Sequence, residues 1–368
     1  MISIKIKDLA KIIEESAPHA YAESWDNVGL IVGDTNKKVD KVLTALDFTE
    51  EILDEAIEKK VGLIITHHPI IFGAIKKITT NDLTTRLIMK AIKHDIAIYA
   101  AHTNFDNIKG GLNFVVADRF SLKDSKVLEP TATKMYKLSC FIPIDHTEKV
   151  SKAIFEAGAG NVGNYDSCSF SSEGIGSFKG NDAANPFVGE INKIHFEPEK
   201  KIEVIVPAHK LHNVINALLQ SHPYEEPAYD ILVLENKNML AGSGVIGRLP
   251  QPLAEKDFLS LTKELLIAPV LRHSKFTGNM ISKVAICTGA GAFLLPQAIS
   301  QGADVFITGD VRYHEFFSPD KKLLLIDAGH YETEQFSREW FVDIIKSRFS
   351  DFDIEVAERG ENPVGYWV

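Results

Sequence analysis

Apolar residues in this chain follow two rhythms. Short, nearly continuous apolar runs with polar ends recur at 41–47, 63–66, 96–101, 283–288, 304–308 and 323–327. Such runs predict strands buried on both faces, as in a parallel sheet. Between them, apolar positions return every three or four residues. This predicts helices over 6–15, 49–60, about 80–94 and 261–266, with one ending near Gln301 and one carrying Phe336, Trp340, Phe341 and Ile345. Thr49 followed by Glu50 and Glu51 supplies a cap and first-turn acids for the second helix. Alternating strands and helices predict an α/β fold with right-handed crossovers.

The rhythm changes near Pro130. A strand at 135–142 and a helix at 147–156 precede a Gly-, Ser- and Asn-rich stretch, 158–180, that reads as hairpins and loops. A strand at 202–206, a helix at 209–219 and a strand at 231–234 follow. Strand-helix-strand-strand-helix-strand is the ferredoxin-like order, which predicts an inserted α+β domain over 131–233. The flanks, 1–130 and 234–368, repeat one another. The spacing from Val42 to Thr66 equals that from Val284 to Thr308, and both halves then carry His-x-x-x-acid after a further strand, as His102–Asp106 and His330–Glu334. An internal duplication sets the architecture, here two intertwined, similar α/β halves.

The chemistry lies at strand ends, where ligands of α/β sheets sit. The 63–66 strand stops at Thr66-His67-His68-Pro69, and proline cannot continue an interior strand. Duplicated halves can turn their strand ends to one cleft, gathering His67, His68, Asp106, His330 and Glu334, with His102 close by. Imidazole and carboxylate are ligands for Zn²⁺, Mn²⁺, Fe²⁺, Co²⁺ and Ni²⁺, and carboxylates able to bridge suit two ions about 3.5–4 Å apart. Water shared by two such ions ionises near neutral pH and becomes a nucleophile. The plainer alternative is loop histidines and helix caps. Gly289-Ala290-Gly291 reads as a tight turn rather than a phosphate cradle, and Asp26 as a turn residue ahead of one that touches a site. Asp310 and His314 are candidates to orient ligands or ordinary loop residues. The stretch 222–230 meets substrate or closes its own sheet.

Charge and cysteines narrow the classes. The net charge is −10, from 40 basic and 50 acidic residues, with no basic run, which argues against a nucleic-acid backbone as partner. Cys140, Cys168 and Cys287 have no CxxC spacing and, each in or near an apolar segment, read as buried free thiols. There is no signal-like or membrane-spanning apolar stretch, so a cytoplasmic protein is expected.

Ser24-Trp25-Asp26-Asn27-Val28-Gly29-Leu30, Thr66-His67-His68-Pro69, Ala101-His102-Thr103-Asn104-Phe105-Asp106, Thr308-Gly309-Asp310 and Gly329-His330-Tyr331-Glu332-Thr333-Glu334 together resemble the motifs of the GTP cyclohydrolase 1 type 2 homologues, also called Ngg-interacting-factor-three-like proteins. The resemblance implies two divalent ions per subunit, zinc first among them. His67 and Asp106 would serve one ion, His68 and His330 the other, with Glu334 bridging and His102 or His314 supplying a catalytic proton. It implies a toroidal homohexamer and, from His222-Pro223-Tyr224-Glu225-Glu226-Pro227, a PII/CutA-like central domain. The implied activity is hydrolytic opening of the guanine ring of a nucleotide by metal-activated water. A phosphoester hydrolase or nuclease is the alternative enzyme, and a metal-binding adaptor with a small-molecule-sensing central domain the alternative class.

Overall fold

The structure, a computed structural model, describes residues 2–131, 134–163, 165–360 and 362–367. The chain folds as two compact units, one formed by Met1–Pro130 with Ala241–Val368 and the other by Thr131–Leu240. The division after 233 expected from sequence falls inside the strand Tyr229–Leu234. That strand pairs with Met135–Pro143 and so stays with the smaller unit.

Two sheets build the larger unit. One has the order Asp353–Val356, Lys41–Ala45, Leu63–Thr66, Ala97–Ala100, Gly29–Val32. Its first four strands are parallel and the last antiparallel. The other has the order Arg272–His273, Leu324–Asp327, Val305–Thr308, Met280–Ile286, Gly242–Ala254, Lys123–Pro130. Its central trio from Met280–Ile286 to Leu324–Asp327 is parallel, with antiparallel strands on both sides. Each parallel trio is thus preceded in sequence by a strand that pairs antiparallel with its third member. The halves also trade edges: the C-terminal strand Asp353–Val356 joins the first sheet, and Lys123–Pro130 joins the second. This exchange is what intertwines them.

Alternation along each strand assigns the faces. Val42, Leu63 and Ile65 share one core with Val284, Val305 and Ile307, together with Ile6, Leu9 and Ile13 of the helix Ile6–Ser16 and Phe341 and Ile345 of Ser337–Lys346. Leu43, Ile64 and Ile98 face the other way, onto Ile52, Leu53, Leu87 and Ala91. Ala285, Phe306 and Leu325 do the same against Leu295 and Ala298. Both faces are covered, which explains the continuous apolar runs.

Helix ends follow local chemistry. Thr49 accepts from the Ile52 amide, as expected. The helix read from about 80 begins at Leu83 because Asp82 caps the Thr85 amide. The helix read at 261–266 spans Glu255–Leu265, its polar first turn having hidden the buried Phe258. The last helix is two pieces, His330–Glu334 and Ser337–Lys346. At the break, Gln335 donates to the Leu266 carbonyl and Phe336 lies under the Arg119 guanidinium.

The smaller unit runs Met135–Pro143, Thr147–Glu156, Ser169–Phe178, His195–Pro207, Leu211–Ser221, Tyr229–Leu234. Its antiparallel sheet has the order fourth, first, third, second strand, the ferredoxin-like arrangement. Val150, Ile154, Val214 and Leu218 of the helices pack on Leu138, Cys140, Ile202 and Val204. Within the 158–180 stretch, read as hairpins and loops, Ser169–Phe178 is a strand. Its glycines and serines mask an edge strand that is largely exposed. No helix among the described residues is long and apolar enough to cross a membrane.

Phe341 is fully buried in the shared core, 5.6 Å from the Phe105 ring. Phe341→Ala is expected to cost about 3–5 kcal/mol, read as a lowered midpoint in urea denaturation.

Candidate metal centre

The strand Leu63–Thr66 delivers its histidines by continuing its ladder. The His67 amide donates to the Ala45 carbonyl and the His68 amide to the Leu46 carbonyl, while the Thr66 hydroxyl donates to the His68 carbonyl. After Ala97–Ala100, His102 opens the short helix Thr103–Asp106, which brings Asp106 round one turn to the same side. Gly329 (φ +95°) opens the short helix His330–Glu334 in the same way. A Cβ on Gly329 would stand 2.0 Å from the Glu332 carboxylate.

These four histidines share one arrangement. Nδ1 of His67 lies 2.9 Å from the Ala101 carbonyl, that of His68 2.7 Å from Asp47 Oδ1, that of His102 2.9 Å from Asp26 Oδ1 and that of His330 2.7 Å from Asp310 Oδ2. Each ring is anchored through Nδ1, which leaves Nε2 as the nitrogen able to ligate. Nε2 of His68 and of His330 each lie 2.9 Å from Glu334 Oε2, and Nε2 of His67 lies 3.9 Å from Glu334 Oε1 and 3.6 Å from Asp106 Oδ1. Ligand atoms on one tetrahedral zinc sit about 3.3 Å apart, given bonds of about 2 Å, so these atoms are close enough to share an ion. One ring nitrogen each of His67, His68 and His102 form a group within 4.8 Å, and His68, His330 and Glu334 form a second; either group could hold a metal ion.

The donors also lack other partners. His67 Nε2, Asp106 Oδ1 and Glu334 Oε2 are buried atoms with no aligned hydrogen bond, although two imidazoles lie at ion-pair distance from the last. Buried polar atoms are rarely left so, and a cation among them would satisfy all three. The electrostatics agree. Burial holds the His67 imidazole well below its usual pKa, as a neutral ring. Burial opposes charge on His68 and His330, yet Asp47 and Glu334 push the first up to about 10, and Glu334 and Asp310 push the second up to about 9. Burial likewise opposes charge on Glu334, and the facing imidazoles outweigh it and hold its carboxyl low. Burial together with the Glu334 charge drives Asp106 up.

The structure therefore gathers His67, His68, His102, Asp106, His330 and Glu334, and it places Asp310 behind His330. His314 is exposed on the turn Tyr313–Phe317, its ring against Tyr313, and does not join them. Gly289–Gly291 is a tight turn. Its Gly289 and Gly291 amides are spent on Thr333 Oγ1 and Thr308 Oγ1, and a Cβ on Gly289 (φ +62°) would stand 2.1 Å from Glu334 Oε1. Two carboxylates carry more than sequence reasoning gave them. Asp47 orients His68, and its only signal was a charge just past a buried strand. Asp26 is more than a turn residue: burial raises its pKa, but bonds from His102, the Thr103 hydroxyl and the Asn27 amide pull it down to about 2. Beside the cluster opens a cavity of about 500 Å³ lined by His102, Asp106 and Glu334, with Trp25, Phe72 and Phe293 among its walls.

Two outcomes follow from this geometry. Gly289→Ala should displace the Glu334 carboxylate and sharply lower the divalent-metal content measured by elemental analysis, with an unchanged far-ultraviolet circular dichroism spectrum. Raised pKa values keep protons on His68 and His330 at neutral pH, and ligation must remove them. Affinity is therefore expected to rise with pH, roughly tenfold per unit for each proton released, in chelator competition between pH 6 and 8.

Comparison with known proteins places the chain among relatives. The family model Duf34/NIF3 (NGG1p interacting factor 3) matches residues 4–363. A Bacillus subtilis protein named GTP cyclohydrolase 1 type 2 homolog is 40% identical over 369 residues, 98% of each chain. A Halalkalibacterium halodurans protein of the same name is 43% identical over 325 residues, 87% of each. The crystal structure of a Bacillus cereus protein related to NIF3 superposes with a TM-score of 0.86 at 36% identity, covering 99% of both chains. The family-model match over residues 4–363 and the near-full-length similarity to these relatives lead to one conclusion: this chain belongs to the Duf34/NIF3 family.

Proposed function

We propose that the protein is a metal-dependent hydrolase that holds two divalent ions, zinc first among the candidates. The observation that carries this reading is the anchoring of His67, His68 and His330 through Nδ1 around Glu334, whose two oxygens face different histidines. His67 with Asp106 would hold one ion and His68 with His330 the other, with Glu334 spanning both. His102, within reach of His67 and His68, either completes the first set or holds a proton. Bound there, divalent ions supply Lewis-acid charge and lower the pKa of water.

The residues of the chain do the rest. Asp26 fixes the His102 tautomer, so its free ring nitrogen can take or give a proton at the cavity wall. Trp25 and Phe72 stand edge-on to the His102 ring, each at 5.9 Å, and both are more than half exposed. Their faces offer a platform for a planar heterocycle. The names of the relatives point to the same substrate class, a purine nucleotide whose ring is opened with loss of formate. A cytoplasmic toroidal homohexamer with a PII/CutA-like central domain goes with this reading, and the solution mass checks the assembly.

The zinc-loaded full chain, assayed on a nucleotide panel, is expected to release formate from GTP. Glu334→Gln should abolish turnover, and His102→Asn should lower kcat by about 10²–10⁴ with a smaller change in KM. Release of inorganic phosphate instead would make it a phosphoester hydrolase. Inactivity on the whole panel, unchanged by either substitution, would overturn the enzymatic reading in favour of a metal-binding adaptor.

A further inference from the structure

The sheet of the smaller unit is covered by helices on one face only. Leu138, Cys140, Ile142, Ile202, Val204 and Val206 go inward with the helices, so alternation turns Phe141, Glu197 and Glu199 to the other side. Over that side, the segments around 184–187 and 224–228 enclose a cavity of about 390 Å³ lined by Phe141, Phe178, Phe187, Tyr224, Glu199 and Gly176, among others. It is separate from the histidine cluster, and the proposed hydrolase makes no use of it.

The cavity is built around a buried carboxylate. Glu199 is only 8% exposed. Its Oε1 accepts the Tyr224 hydroxyl at 2.8 Å, and its Oε2 has no hydrogen bond among the described residues. Space beside Oε2 is kept open by glycine, since a Cβ on Gly176 would stand 2.2 Å from it. Gly174, the register partner of Glu199, has nothing within 4 Å of its would-be Cβ. The Tyr224 donor is itself locked. His222 Nε2 donates to the Phe141 carbonyl at 2.9 Å, which leaves Nδ1 to accept the Tyr224 amide at 3.1 Å. Phe178 and Phe187 flank the Tyr224 ring at 5.8 and 6.3 Å and make one aromatic wall.

The charge around this cavity is one-sided. Glu225 and Glu226 join Glu199 in its lining, against Lys179 alone. Glu225 is committed to the Asn185 amide and holds the covering loop. The second carboxylate oxygen, Oε2, borders the cavity, and a cation there would pair with it. A bare metal ion needs several oxygen or nitrogen ligands, whereas most of this wall is apolar. An organic ammonium needs one carboxylate and gains from aromatic faces. The volume suits a small molecule.

We propose that this cavity binds a small primary arylalkylamine, its ammonium on Glu199 and its apolar body against Phe178, Tyr224 and Phe187. The probes are phenethylamine, the neutral phenethyl alcohol and the charge-reversed 3-phenylpropionate, each titrated into the full chain by calorimetry. The amine is expected to bind at least tenfold more tightly than the alcohol, and the acid not at all. Glu199→Gln keeps the Tyr224 bond and should reduce the amine to the level of the alcohol with an unchanged Tm. Phe187→Ala, on the half-exposed covering loop, should weaken amine and alcohol together without touching the sheet. Equal binding of amine and alcohol, amine affinity unmoved by Glu199→Gln, or no binding of the amine would each overturn the assignment.

Discussion

Glu334 is a carboxylate buried among imidazoles. Burying such a charge costs several kcal/mol unless opposite charge surrounds it. Here the compensation comes from His68 and His330, with His67 beyond them. Each of those rings is held in turn by an acceptor on its far nitrogen. The arrangement is a set of oriented dipoles and charges centred on one residue. Each acceptor holds its ring through Nδ1, so that Nε2 is turned toward the same small volume. If Glu334 moved, the orientation of the rings would lose its purpose.

The fold exists in a form that makes this convergence possible. Glu334 arrives from the far end of the chain, His67 and His68 from the third strand of the first sheet's order, His102 from the fourth. No local segment could assemble them. The exchange of edge strands between halves ties the two sheets into one unit, and the core they share lies on their inner faces. Close approach of backbones at the strand ends is paid for in glycine. Gly289, Gly309 and Gly329 each stand where a Cβ would meet Glu334, the Gly329–His330 backbone or Glu332. This is the usual reason for glycine at a crowded site.

The smaller unit solves a similar electrostatic problem with different means. Glu199 is buried on a sheet face, held by one phenol and given room by a glycine. Metal-type donors cluster in the larger unit, while aromatic carbon dominates around Glu199. A carboxylate with room beside it thus suits an inorganic cation where metal-type donors surround it and an organic one where aromatic carbon does, because the ligand class is set by what lines the rest of the cavity.

The linear chain by itself determined a good deal. Buried strands are legible because both of their faces are apolar, so 63–66 and 304–308 match the strand Leu63–Thr66 and contain Val305–Thr308. The duplication is legible because equal spacing survives divergence, and the strand-end histidines because two imidazoles beside a proline have little structural work to do. Tertiary structure alone decided the rest. Asp47 and Asp26 serve the histidines across 21 and 76 residues of chain, and no local pattern separates such a carboxylate from a turn residue. The edge strand Ser169–Phe178 was hidden because its exposed face leaves no apolar alternation to read. His314 was a fair candidate on residue type, and only the path of its turn sent it to the surface. Local pattern records which residues are buried; which charge meets which ring is a matter of distance in space.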